Sequence, residues 1–128
     1  MKTAENELIK YWIEDGILHN KIKEPMVMDL DNIKKVIALR HEISAGEKQY
    51  WCFNFDGIKS YTKEGRDYAD LHGQDYLYGT AAIVNSHITM YLVNIFIKIK
   101  NPTIPFRAFK NTADGVAWLN DLRNKNRN

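Results

Sequence analysis

Tyr50-Trp51-Cys52-Phe53-Asn54-Phe55-Asp56-Gly57-Ile58-Lys59-Ser60-Tyr61-Thr62-Lys63-Glu64-Gly65-Arg66 is the stretch on which the reading of the chain turns. Tyr50 to Phe55 has the make-up of a buried strand. Side chains alternate across a strand, so Trp51, Phe53 and Phe55 share one face and Tyr50, Cys52 and Asn54 the other. The second face is visibly less apolar. A sheet wound with helices on both faces would instead read as a continuous Val/Ile run. The expectation is a sheet whose helices lie largely on one face. Asp56-Gly57 makes a turn, and Ile58 to Tyr61 reads as a short loop. Thr62 is then the N-cap of a helix, with Glu64 in its first turn, where a negative charge suits the helix dipole.

Upstream, Leu8 to Glu14 alternates as a strand, Asp15-Gly16 is a tight hairpin signal and Ile17 to Lys23 is the return strand. Glu24-Pro25 ends it, since proline offers no ladder donor. Met26, Val27 and Met28 are expected to pack under the entrance of a helix that Asp29 caps and Gly46 stops. Downstream, the Thr62 helix ends at Gly73, and Gly79 to Val84 is a short strand. His87 to Lys100 is strongly periodic, with Ile88, Tyr91, Leu92, Ile95, Phe96 and Ile99 at helical spacing. Ile104 to Phe109 is a last strand, and Pro105 marks it as an edge. Asn111-Thr112 caps a final helix from Ala113 to about Arg123. The fold class is α/β: an opening β-hairpin, then a mostly parallel five-stranded sheet reached by right-handed crossovers.

The 128 residues suit one domain with one core. The chain is 45% hydrophobic and 27% charged, an ordinary globular composition. A formal net charge of +2 gives no case for nucleic acid or an acidic membrane as partner. The basic run Arg123 to Asn128 reads as a frayed, solvated end. The lone Cys52 has no intrachain partner and reads as a small buried hydrophobe in a reducing compartment. Met1 to Glu7 lacks the apolar core of a signal sequence, and no run of about eighteen apolar residues is present. The expected location is the cytoplasm.

Catalytic signals are sparse. There is no Gly-x-Ser-x-Gly elbow, Walker loop or Gly-x-Gly-x-x-Gly. His19, His41, His72 and His87 fall on separate elements without metal-ligand spacing, so no metal or cofactor is expected, and His19 and His41 read as surface residues. Asp56-Gly57 stands at the carboxyl end of the central strand, where ligands bind in parallel α/β sheets. Acid–base work there would need the Asp56 and Glu64 carboxylates to converge. The candidate ligand or partner loop is therefore Asp56, Gly57, Ser60, Thr62, Glu64 and Gly65.

The order of elements, the run Trp51 to Gly65 and the ending Phe106-Arg107-Ala108-Phe109 with Ala113 to Leu122 resemble a STAS or SpoIIAA-like domain, the family of the anti-sigma-factor antagonists. The resemblance covers nearly the whole chain in element order. It implies a β-α superhelix with strands side by side in chain order, and a non-catalytic regulatory or protein-interaction role in a small bacterial protein. In regulatory members the helix starts at Asp-Ser-Ser-Gly, and the second serine accepts a phosphate. With Gly65 as the glycine, those positions hold Thr62, Lys63 and Glu64, so the acceptor serine is absent. A similar arrangement in CRAL-TRIO lipid binders adds a second expectation, a module for a small apolar, lipid-like ligand. An enzyme working through Asp56 and Glu64 is the third.

The His87–Lys100 helix carries a second apolar stripe, Met90, Val93 and Ile97. A surface helix with one docking face is polar elsewhere. The second stripe is therefore covered either by another part of the chain, with Trp118 of the final helix as a candidate, or by a partner, and the expectation is an interface with a second copy of the chain in a symmetric homodimer.

Overall fold

Asp15 and Gly16 both take positive φ, 51° and 78°. Two such residues in a row twist with the flanking strands, and the hairpin closes where the sequence places it. Its arms are β2 (Ile9–Glu14) and β3 (Ile17–Ile22), paired from Glu14↔Ile17 to Ile9↔Ile22. A strand not visible in the sequence, β1 (Lys2–Glu5), lies antiparallel against β2. It is polar apart from Ala4, so no periodicity announces it. Cross-strand pairing holds it, together with an ion pair between Glu5 and Lys23 and a turn in which Asn6 Oδ1 accepts from the backbone N–H of Leu8 and Ile9.

The structure is a computed structural model and describes residues 1–87, 90–91 and 103–127. After the hairpin come β4 (Met26–Met28), α1 (Leu30–Ser44), β5 (Gln49–Asn54), β6 (Ile58–Tyr61), α2 (Lys63–His72), β7 (Leu77–Ile83), β8 (Phe106–Phe109) and α3 (Thr112–Arg127). The main sheet runs β1-β2-β3-β5-β7-β8. Its first two pairings are antiparallel and the next three parallel. Among the described residues it has six strands rather than five, and they neighbour each other in chain order. The anticipated loop after Gly57 is in fact a strand: β6 pairs in parallel with β4 as a separate small sheet.

The two faces of β5 divide as their residue types suggest. Trp51 and Phe55 join Ile9, Tyr11 and Leu18 under Ile33, Val36 and Ile37 of α1 and Ala69 of α2. Tyr50 and Cys52 join Ile17, Ala81, Ile83 and Leu119 under α3. Two of the three helices set out here share one face and α3 takes the other. Gly115 brings α3 close, since a Cβ there would lie 2.7 Å from Ile83 Cδ1. Burial pushes the Cys52 thiol up to about 11, which suits its reading as an inert hydrophobe.

Arg123 to Arg127 is not a frayed end. The helix continues through it, Arg123 Nη1 donates to the Asp15 carbonyl of the hairpin turn (2.9 Å), and Asn126 Nδ2 donates to the Tyr50 hydroxyl (2.8 Å). Both bonds join residues far apart in sequence, so a local reading sees only a basic tail. Of the expected 87–100 helix, His87, Met90 and Tyr91 are helical and the rest lies outside the described residues. Met90 packs partly buried against the main core, whereas Tyr91 is 65% exposed. At these two positions the docking face is the one that carries Met90.

Candidate functional site: a cavity beneath the first two helices

Three rings on one face of one strand have few places to go. Trp51 and Phe53 stack with centroids 4.2 Å apart and planes 6° from parallel. Phe53 stacks on Phe55 at 4.1 Å and 21°. Pressed together along the strand, the rings leave space between themselves and the helices above. That space is a cavity of about 180 Å³. The three rings form its floor, and Ile33, Val36 and Ile37 of α1 form one wall. Ala69, Asp70 and Gly73 of α2 form another, and Tyr61 comes in from the end of β6. Thr80, Phe106, Gln74 and Thr103 complete the described lining. Gln74 Oε1 accepts from the N–H of Thr103 (2.8 Å), the Thr103 hydroxyl (3.1 Å) and the N–H of Ile104 (3.1 Å), which ties the turn after α2 to the approach to β8. Burial raises the pKa of the Tyr61 hydroxyl, so it stays a neutral phenol.

A buried cation holds the roof. Arg40 is fully buried. Its Nη1 donates to the Asp75 carbonyl (2.7 Å) and its Nη2 to the carbonyls of His72 and Gly73 (both 3.2 Å). These oxygens stand at and just past the C-terminus of α2, where the helix dipole favours a positive charge. The guanidinium also lies 4.9 Å over the Trp51 ring. Burial lowers its pKa, while Tyr11 and Asp75 oppose that shift. Beside it, Asp75 Oδ2 lies 3.0 Å from His72 Nδ1 and 3.9 Å from His41 Nε2. Below the rings, buried Asn20 extends the β3–β5 ladder: its Nδ2 donates to the Asn54 carbonyl (3.1 Å), and its Oδ1 accepts from the Asn54 N–H (3.0 Å) and the Trp51 indole N–H (3.2 Å).

The residues singled out in the sequence lie beside this cavity rather than in it. Asp56 is exposed, with its N–H donating to Asn54 Oδ1 (2.9 Å). Gly57 has φ 98°, and its carbonyl accepts from Met26 N–H (2.8 Å). Ser60 sits in β6 opposite Val27. Thr62 is the N-cap, its hydroxyl accepting from Gly65 N–H (3.0 Å). Glu64 is exposed, and Gly65 is buried where a Cβ would collide with the Met28 carbonyl oxygen. Asp56 and Glu64 stand at opposite ends of β6, a separation on the order of 15 Å along an extended chain. These two are not brought together as an acid–base pair. Val93 and Ile97 lie outside the described residues. His19 and His41 are half-buried rather than surface residues.

Residues 11–123 match the family model described as Domain of unknown function (DUF7793). The chain belongs to that family. No curated protein matches it. Among solved structures, this DUF7793 domain is similar to an uncharacterized protein of the DUF3478 family with a SpoIIAA-like fold from Shewanella loihica PV-4, with a TM-score of 0.64 and 13% identity over 93% of this chain and 99% of that one. Likeness at that identity shows the fold alone, and the fold is the SpoIIAA-like one that the element order resembles. Among the described residues of the DUF7793 domain, no three His, Cys, Asp or Glu side chains are grouped to hold a metal ion, and no helix is long and apolar enough to cross a membrane.

Arg40 and Asn20 went unseen in the sequence. Arg40 does follow Ile33, Val36 and Ile37 at helical spacing, and that position on the apolar stripe was the available signal. Asn20 likewise falls in step with Leu18 and Ile22 on the inward face of β3.

Proposed function

We propose that this chain is a non-catalytic binding module that takes a small apolar ligand between its first two helices and the sheet. The observation that carries the reading is the cavity itself: about 180 Å³, floored by three aromatic side chains and walled by three aliphatic ones. Interiors pack to crystal density, and a void of this size in a small domain forfeits dispersion contacts that an occupant restores. Concave, mostly apolar sites with a few polar groups at the margin are where small molecules bind.

The test is native mass spectrometry on protein purified from its own host, paired with calorimetric titration of small apolar compounds. A retained mass or a saturable heat supports the module. Ala69→Leu fills the cavity from α2 and is expected to abolish the binding while the fold persists. A folded parent that retains nothing and binds nothing overturns the reading.

A second reading is the regulatory, protein-interaction domain implied by the fold resemblance. The start of α2 favours it, because Lys63 and Glu64 stand in solvent beside the β4–β6 pair. Position 64 offers no hydroxyl to a serine kinase, and the Thr62 oxygen is engaged as a cap. Phosphopeptide mapping is expected to find no phosphate at this helix start. A stoichiometric phosphate on Ser60 or Thr62 would establish a switch there.

A further inference from the structure

One side-chain amide joins two walls of the cavity. Resting on the binding-module reading above, we infer that Gln74 is the latch of that site: its amide oxygen closes the mouth between the turn after α2 and the approach to β8, and a ligand enters and leaves where that contact parts.

Exposure locates the mouth. A cavity meets solvent where a residue that lines it is itself exposed. Trp51, Phe55, Ala69 and the three aliphatic side chains of α1 are buried. Thr103 lines the same space and is exposed. Gln74, half-buried and also in the lining, reaches across to it.

The contact has the chemistry of a latch. Three donors converge on Gln74 Oε1: the N–H and the hydroxyl of Thr103 and the N–H of Ile104. Two of them are backbone N–H groups, which only donate, so the position calls for an acceptor. All three bonds share one atom. Turning that one side chain away releases them together, and at a solvent-facing site water takes its place at small net cost.

The two sides of the contact are anchored differently. The turn is a fixed post. Arg40 holds the carbonyls of His72, Gly73 and Asp75, and the Tyr76 carbonyl accepts from Gln49 N–H (2.9 Å). On the other side, the Pro105 carbonyl accepts from Thr80 N–H (3.0 Å), so the sheet holds the chain from Pro105 onward. Ile104 rests partly buried on the main core, and Gln74 ties it and Thr103 back to the turn. Loss of the Gln74 amide therefore frees the approach to β8 and leaves α2 in place.

Access of acrylamide to Trp51 on the cavity floor tests this without any ligand. In a Trp12→Phe/Trp118→Phe background Trp51 is the one indole of the chain. Quenching of its emission is expected to be weak and to rise roughly tenfold in Gln74→Ala, the worth of about one hydrogen bond. In Gln74→Glu it should stay near the parent value, because the carboxylate keeps the acceptor. Equal quenching in Gln74→Ala and the parent overturns the inference, as does a Gln74→Glu protein as open as Gln74→Ala. Benzene exchange followed by NMR gives a second reading in the chain with all its tryptophans. A latch sets a barrier, so Gln74→Ala should speed entry and release by the same factor and leave the affinity within roughly twofold. A weaker affinity with an unchanged entry rate would make Gln74 a ligand contact and overturn the latch. If the quenching order holds while benzene does not bind and no mass is retained from the host, the mouth stands at Gln74 and it is the module reading that fails.

Discussion

Arg40 is the residue that does most to place the roof of the cavity. Burying a guanidinium is costly, and it is tolerated where most of its donor directions find an oxygen or a ring. Here three carbonyls take the two terminal nitrogens and the Trp51 face lies against the group, while Nε is buried without a hydrogen-bond partner among the described residues. Lysine is no substitute, because an ammonium is a point donor and cannot span three carbonyls in a plane. Arg40→Lys is expected to cost about 1–3 kcal/mol, and Arg40→Met more, since it leaves helix-terminal carbonyls without a donor. Urea unfolding reads this as a lowered midpoint at constant slope. An Arg40→Met protein as stable as the parent would show that water replaces the guanidinium and that α2 does not depend on it.

At the scale of elements, α2 is held at both ends by chain that precedes it. Arg40 of α1 takes its C-terminus. Its N-terminus sits on β4, where Thr62 N–H donates to the Met28 carbonyl (3.1 Å) and Gly65 packs against the same carbonyl. Two substitutions separate local capping from this packing. Thr62→Ala removes the cap and is expected to cost about 1 kcal/mol. Gly65→Ala drives a methyl into a backbone oxygen that has no rotamer with which to yield, and is expected to cost more, about 1–3 kcal/mol. Thermal melts of the two variants give the order, and a harmless Gly65→Ala would mean that β4 and α2 separate easily. The same elements show what a sequence discloses. Thr62, Asp29, Asp15-Gly16 and the alternation of Trp51, Phe53 and Phe55 are local signals, and each marks its element. By contrast β1, β4 and β6 are three or four residues long and exist through partners elsewhere in the chain. A polar run such as Lys2–Glu5 carries no trace of that pairing. The cavity is less legible still: the alternation places its three rings on one face, but a volume belongs to the gap between elements and has no residue of its own.

For the whole molecule, two half-buried histidines set the response to acid. Burial lowers the pKa of His19, and burial with the nearby Arg40 charge lowers that of His41, against the opposing pull of Glu14 and Asp75 respectively. In the unfolded chain both return to about 6.5. The unfolded state therefore takes up protons first as pH falls. The stability these groups contribute is complete above about pH 6.5 and declines through the folded values below it. Urea midpoints are expected to drop between about pH 7 and pH 5, and His41→Gln should flatten part of that slope. An unchanged slope in the variant would exclude His41 as a contributor. The ring stack has a consequence of a different kind, in how the molecule interacts with light. Of three indoles, those of Trp12 and Trp118 are half-exposed, while that of Trp51 is enclosed between a guanidinium and a phenyl ring, with its N–H committed to Asn20. Its emission belongs at the short-wavelength end of the protein's fluorescence, and its near-ultraviolet absorption is polarised by a fixed positive charge on one side. The chain thus carries an intrinsic chromophore on the floor of its cavity, one whose colour changes when the space above it is filled or when Arg40 moves away.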